Sequence, residues 1–465
     1  MQLAFLSPRT FIAGLVLSVV AQAGVLADHS GRWLGDLTLP NGRTIQVGAE
    51  LFTRADGSAW ASLASPGRQT FDIPVARVQE DGNTVALDVS WATMKLSWTK
   101  DHFHGEWKQG GDALPFELRP TAEFPRPVLP QAPKPPFPYD DQTLAIRTPD
   151  GITLGATLSL PKGQTRPDVV VLVGGSGPCT RDAGGTFAVL ADQLARQGIA
   201  VLRYDKRGVA RSTGSYFQHT DAQLVADATA VVQSLKARRA FRRVGLIGHS
   251  EGSGLSATLA AAHPGQVDFV ISLAGIGLSG LDSLLVQDRI YAQDQGANPA
   301  EVDKLMGYVR QHYETILAQP DVAPRLAALK TLQQGLPKEL TTLIEKYHMN
   351  EGSLALEAAE EPSLRTSLLS DIPASWRAVR CPVLALNGSL DHQVPATEHL
   401  QGILAALKAG GNTQVESAIL PSLNHLFQTA KTGREDEYTT LEETFAPLAL
   451  QRMVGFVKAR AAAFP

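Results

Sequence analysis

Cysteine is nearly missing from this chain: 465 residues contain only Cys179 and Cys381. That excludes a disulfide-stapled miniature fold and a cysteine-rich zinc site. An excess of one charge is missing too. The formal net charge is −4, with no long run of like charges, so the basic face that a nucleic-acid partner needs is not expected. Beyond residue 23 no apolar run approaches the ~20 residues that cross a bilayer. The H-x-H pair His102 and His104 has no third ligand clustered with it, so neither a metal nor a cofactor is implied.

Residues 1–23 carry one charge, Arg9, an apolar core Phe11–Val20 and the small-residue site Ala21-Gln22-Ala23. This is the plan of a cleavable secretory signal, with Val25-Leu26-Ala27 as a second cleavage site. The expected location is periplasmic or secreted, with no stable membrane span after processing. Export would permit a disulfide, but the strand pattern below puts Cys179 and Cys381 at opposite ends of parallel strands, beyond bonding reach.

Residues 28–119 read as a β-rich N-terminal domain. Short alternating segments are separated by turns such as Pro40-Asn41-Gly42, Asp56-Gly57, Asp81-Gly82-Asn83 and Gly110-Gly111, which predicts a small antiparallel sandwich or barrel. Five of the six tryptophans (Trp33, Trp60, Trp91, Trp98 and Trp107) fall here and are expected in its core. Residues 120–139 form a linker, with eight prolines from Pro120 to Pro138; such a run stays extended.

Residues 140–465 change character. Apolar, β-branched runs (Val169–Val173, Ala200–Tyr204, Val244–Ile247, Phe269–Leu273, Pro382–Leu386 and Gln414–Leu420) alternate with helical periodicity such as Ala222–Lys236, for which Asp221 is the expected N-cap. This predicts an α/β class, a doubly wound parallel sheet. From about 280 to 371 the pattern is helical only, which predicts a helical cap inserted after the Phe269–Leu273 strand.

Val244–Gly254 reads V-G-L-I-G-H-S-E-G-S-G. A strand, G-x-S-x-G and a helix make a nucleophile elbow, in which glycines flank a serine held on a sharp turn. A serine hydroxyl needs a base, and the base needs an acid to orient it. A carboxylate and a histidine, Asp391 and His425, each follow one of the last two strands. The predicted set is Ser250 as nucleophile, His425 as base and then acid, and Asp391 as its partner. His249 is expected to point away. An oxyanion hole requires two backbone N–H donors: the N–H of Glu251, and that of Gly175 or Ser176 in the loop Gly174–Pro178. That glycine-rich loop matches neither phosphate-binding glycine pattern.

Together, G-G-S-G-P (Gly174–Pro178) with Arg181-Asp182, R-Y-D-K-R-G (Arg203–Gly208), G-H-S-E-G, L-N-G-S-L-D and L-N-H-L-F resemble the α/β-hydrolases of the serine-aminopeptidase-like branch. Within it the chain resembles bacterial exported esterases with a β-rich N-terminal domain. The resemblance implies an α/β-hydrolase fold with a helical cap and a small all-β domain before it, and carboxylesterase activity on small-molecule esters of short acyl chains. Cys179-Thr180 departs from the polar or acidic residue often found before Arg-Asp. Asp205 and Arg207 are expected to form a structural ion pair. Two rival readings remain. One is an aminopeptidase-type enzyme, with Glu357, Glu360 or Glu361 holding the substrate ammonium; the other is a binding protein with a vestigial hydrolase. The β-rich domain is a candidate for contact with a glycan or another protein.

Overall fold

The computed structural model describes residues 24–39, 42–66, 70–89, 92–109, 112–126 and 129–462. The signal-like segment 1–23 lies outside them, as do Trp91, Pro40, Asn41, Gly110, Gly111 and Pro127.

A short helix α1 (Val25–Asp28) precedes nine strands: β1 (Gly31–Thr38), β2 (Thr44–Thr53), β3 (Ala59–Ser65), β4 (Thr70–Pro74), β5 (Arg77–Asp81), β6 (Thr84–Val89), β7 (Ala92–Trp98), β8 (Phe103–Gln109) and β9 (Asp112–Thr121). They form one antiparallel sheet, ordered β4-β3-β2-β1-β9-β8-β7-β6-β5. Alternation explains the burial. In β6, Val85, Leu87 and Val89 are buried while the residues between them are half-exposed, as the two-residue period of a strand requires. The two halves of the sheet share one core, where Leu37 and Leu51 join Leu87, Leu96 and Phe103.

The proline-rich stretch is fastened to the second domain. The Gln131 side chain donates to the Phe445 carbonyl at 2.9 Å and accepts from the Thr444 and Phe445 N–H groups at 2.6 and 2.9 Å. Arg196 donates to the carbonyls of Lys134 and Pro136 at 2.6 and 3.1 Å.

The second domain holds strands β10 (Tyr139–Arg147), β11 (Thr153–Pro161), β12 (Val169–Val173), β13 (Ala200–Tyr204), β14 (Val244–His249), β15 (Phe269–Leu273), β16 (Val383–Gly388) and β17 (Val415–Leu420). They lie in the order β10-β11-β13-β12-β14-β15-β16-β17. The first two are antiparallel to their neighbours, and all pairs from β13 to β17 are parallel. Every residue of β12 and β15 is buried, as expected when helices cover both faces. On one face lie α2 (Thr186–Arg196) and α12 (Pro447–Ala462). On the other lie α3 (Asp221–Arg238), α4 (Glu251–Ala262), α10 (Ile372–Ala378) and α11 (His399–Ala409). This is an α/β-hydrolase architecture. Chain order reverses at β12, which has β13 on one side and β14 on the other. Such a switch point opens a crevice at the carboxyl ends of the strands.

Between β15 and α10 come α5 (Gly280–Asp294), α6 (Pro299–Ala318), α7 (Val322–Gln334), α8 (Lys338–Lys346) and α9 (Pro362–Leu368). These helices have their own core, built on Leu305, Val309, Tyr313, Ile316 and Leu343. α10 returns to the main core through Trp376, whose indole N–H donates to the Ile276 carbonyl at 2.9 Å.

One helix start differs from expectation. The N-cap of α3 is Thr220, not Asp221: Thr220 and Gln223 form a reciprocal capping box. The Asp221 carboxylate is therefore free to accept from Thr366 and Ser367 of the helical insertion, at 2.9 and 3.1 Å.

Candidate active site

Ser250 sits between β14 and α4 with φ 56° and ψ −124°, a conformation that costs a non-glycine residue energy. Its N–H donates to the Leu273 carbonyl at 2.9 Å, fixing the turn against β15. The flanking glycines are steric necessities. A Cβ on Gly248 would lie 2.3 Å from the Gly252 carbonyl oxygen, and one on Gly252 would lie 2.2 Å from that of Val173. The backbone therefore passes where no side chain fits, and holds the serine at the mouth of the crevice.

Asp391 and His425 meet there. Asp391 is 4% exposed and His425 3%. His425 Nδ1 lies 3.0 Å from both Asp391 oxygens. A carboxylate only accepts, so Nδ1 carries a proton, and in the neutral ring Nε2 is the nitrogen with the lone pair. Asp391 is itself held, because its Oδ1 accepts from the N–H groups of Gln393 and Val394 at 3.0 and 2.8 Å. The His425 loop is stiffened by Asn424, whose Oδ1 accepts from the Leu426 and Gln428 N–H groups at 3.0 and 2.9 Å. Ser250 and His425 line one cavity of about 480 Å3, together with Gly175 and Ser176.

The glycine-rich loop abuts the elbow: a Cβ on Gly175 would sit 3.1 Å from Ser250 Cβ. Lys206 braces this approach. Its buried ammonium donates to the Gly175 carbonyl at 2.7 Å and to the Glu251 carboxylate at 3.1 Å. One cation thus ties together the two segments expected to supply oxyanion donors. In a planar trans peptide the C=O and N–H point opposite ways. With the Gly175 carbonyl turned to Lys206, the Ser176 N–H lies on the far edge of that peptide.

Two expectations are corrected. His249 does not point away. Its Nε2–H donates to the His425 carbonyl at 2.9 Å, and the two rings are 4.8 Å apart. Burial pushes its pKa down to about 4, so it is a neutral brace at neutral pH. Asp205 and Arg207 do not pair with each other. Two residues apart in a loop, they face different partners: Asp205 binds Arg181 at 2.6 Å, and Arg207 binds Asp227 at 2.6 Å and Asp150 at 3.0 Å.

Other candidates are placed elsewhere. Cys179 and Cys381 are free thiols; Cys179 lines the cavity, and burial pushes its thiol up to about 11. His102 is engaged by Asp101 at 2.8 Å. Among the described residues no group of three or more metal-ligating side chains occurs. Glu357 and Glu360 are exposed, Glu361 is half-buried, and none of the three lines the cavity of Ser250. Gly275–Gly280 spells G-x-G-x-x-G between β15 and α5, yet its glycines answer to packing. A Cβ on Gly277 would lie 1.9 Å from the His399 carbonyl oxygen, and one on Gly280 1.6 Å from that of Ser367.

The sequence reading missed two further sets of residues. Lys206 stands in the quoted R-Y-D-K-R-G segment, but only the fold aims it at Gly175. Thr70, Phe71, Asp72 and Arg126, from the β-rich domain and the start of the linker, line the same cavity as Ser250.

The family model described as serine aminopeptidase, S33, matches residues 166–288, from just before β12 into α5. The match includes the glycine-rich loop, Lys206 and the elbow, and ends before Asp391 and His425. Esterase EstD of Thermotoga maritima is 33% identical over 125 residues, 26% of this chain and 30% of that protein; the chain thus spans under a third of the relative's length. Among solved structures, esterase Pf2001 of Pyrococcus furiosus is 15% identical with a TM-score of 0.40, covering 61% of this chain and 83% of that one. Est1E of Butyrivibrio proteoclasticus is 17% identical with a TM-score of 0.42, covering 69% and 99%. Residues 166–288, which carry the glycine-rich loop and the elbow, are thus similar to the serine aminopeptidase, S33, family.

Proposed function

We propose that the protein is an exported serine hydrolase that cleaves small carboxylic esters, favouring short acyl chains. The observation that carries this is the buried Asp391–His425 pair sharing one cavity with a serine held on a strained elbow. Ser250 Oγ attacks the ester carbonyl while His425 Nε2 takes its proton. The resulting oxyanion is met by the N–H of Glu251 and one from the Gly175–Ser176 segment. The tetrahedral intermediate collapses as His425 protonates the departing alkoxide, leaving an acyl-enzyme. Water, deprotonated by His425, then releases the acid and restores Ser250.

A peptidase reading is supported by the family description. It needs an anion to hold a substrate ammonium. Among the described residues the cavity of Ser250 is lined by one carboxylate, Asp72, which has the Arg126 guanidinium beside it at 3.4 Å and whose charged form burial disfavours, so it holds an ammonium poorly. This favours esters over aminoacyl amides, and rates on p-nitrophenyl acetate and on an aminoacyl p-nitroanilide panel compare the two. Ser250→Ala should lower turnover of p-nitrophenyl acetate by a factor on the order of 10^5 to 10^6; retained activity would overturn the assignment. Export rests on residues 1–23 and is tested by the N-terminal sequence of the protein recovered from cells, which should begin near Gly24 or Asp28.

A further inference from the structure

The cavity of Ser250 does not end at the catalytic residues. Asp72, Arg126, Thr180 and Gly184 line both it and a larger cavity, of about 1120 Å3, between the two domains. Five arginines line this larger space: Arg32, Arg54, Arg126, Arg181 and Arg211. Its carboxylates are mostly committed. Glu50 holds Arg32 at 3.4 Å and Arg211 at 3.2 Å, and Asp205 holds Arg181 at 2.6 Å. Asp182 is turned to Arg203 at 2.9 Å, and Glu123 is exposed.

Arg54 has no share in this pairing. It is 8% exposed, lies on Trp60 with 3.7 Å from guanidinium carbon to ring centroid, and neither Nε nor Nη2 meets an acceptor among the described residues. A buried guanidinium without an acceptor is expensive. Burial lowers its pKa to about 10, which still leaves it cationic at neutral pH. Arg126 is underused as well. It stacks on Phe71 at 4.0 Å and makes one long contact, 3.4 Å, to Asp72. Burial raises the pKa of Asp72, weakening it as a counter-charge, and its backbone is strained at φ 56°.

We infer that the inter-domain cavity is a second substrate subsite that binds an anionic group, with Arg54 and Arg126 as its recognition residues. The β-rich domain is then part of the substrate site, and the preferred ester carries a carboxylate or comparable anion at the end remote from Ser250. This inference rests on the hydrolase reading for the position of the scissile bond. Guanidinium groups, planar and laid on aromatic rings (Arg54 on Trp60, Arg126 on Phe71), suit a carboxylate or phosphate oxygen pair.

Two measurements on the full chain test it and separate its failure from failure of the hydrolase reading. The first compares mono-p-nitrophenyl esters of dicarboxylic acids, from glutarate to sebacate, with neutral p-nitrophenyl esters of matched length. The ratio of kcat/KM, anionic over neutral, should peak at one chain length and fall about tenfold in Arg54→Met and in Arg126→Met. A ratio that never favours the anion, or that both variants leave unchanged, overturns the inference. The second uses Ser250→Ala protein and octanedioate in a calorimeter, which needs no turnover. Saturable binding that Arg54→Met weakens about tenfold supports the subsite; no binding, or equal binding, overturns it. If neutral esters are not hydrolysed at all, the hydrolase reading fails while this binding measurement still decides the subsite.

Discussion

The crevice and the helical insertion both bury histidine, and they treat it in opposite ways. At the crevice His425 is 3% exposed, with Asp391 on Nδ1 and its own carbonyl held by His249. In the insertion His312 is 0% exposed, and neither ring nitrogen has a hydrogen-bond partner among the described residues. It lies between Tyr308 and Tyr313, with ring centroids 5.9 Å away on each side. Burial alone pushes its pKa down to about 4. The difference separates two uses of the interior. At the crevice the Nδ1 face of the base and the carboxylate behind it have assigned partners, which orients the ring. Where only volume must be filled, a polar ring is carried at a cost of stability.

That contrast can be broken most severely at the crevice. Asp391→Asn keeps the shape but offers His425 Nδ1 an amide that can present N–H, so the tautomer is no longer dictated. Steady-state kinetics on a neutral ester should show kcat lower by about 10^4. Next in size is Lys206→Met, which frees the Gly175 carbonyl without touching Ser250 or His425. Lys206 braces the segment proposed to supply an oxyanion donor, so on that reading kcat should fall by about 10 to 10^2 while KM moves little. An equal rise in KM instead would place Lys206 in ground-state binding.

The smallest effect belongs to the insertion, and its sign is opposite. His312→Leu removes two unpartnered nitrogens and should raise unfolding free energy by about 1–3 kcal/mol, read from urea titration. The pH dependence follows from the same burial. The folded pKa of His312, about 4, lies below the ordinary histidine value of 6.5, so the unfolded chain takes up its proton first. Stability present above pH 6.5 is therefore lost as pH falls toward 4. His249 and His399, each also pushed down to about 4 by burial, add to this loss. In His312→Leu the loss between those pH values should be smaller by one histidine's share; an unchanged slope would show that His312 reaches solvent.

Much of the crevice was legible before any coordinates, because its demands are local. Glycines at 248 and 252 announce a backbone packed too closely for a Cβ, and a strand end can be counted to Asp391 and His425. The α3 start was legible as well: Thr220 and Gln223 stand at capping-box spacing, a fuller N-terminal signal than Asp221 alone. What could not be read depends on distance along the chain. The partner of Asp205 is decided by how β13 and the loop after β12 align, and a pair two residues apart in a loop has no fixed geometry. Phe71, Asp72 and Arg126 reach the cavity only because one domain is docked on the other. No periodicity in β4 reports that docking. The same holds for the β-rich domain's shape, where short strands gave the class and left open whether one sheet or two would form.

The fastening at Gln131 bears on how this molecule can be cut. Phe445, whose backbone Gln131 grips, lines the cavity of Ser250 and stacks on Phe427, two residues beyond His425, with ring centroids 5.5 Å apart. A hydrolase domain trimmed back to Tyr139 would lose that grip along with the strands. Its altered kinetics would then mix a missing subsite with a slackened wall behind the base. A truncation that keeps residues from 129 onward leaves Gln131 in place and isolates what the β-rich domain itself contributes.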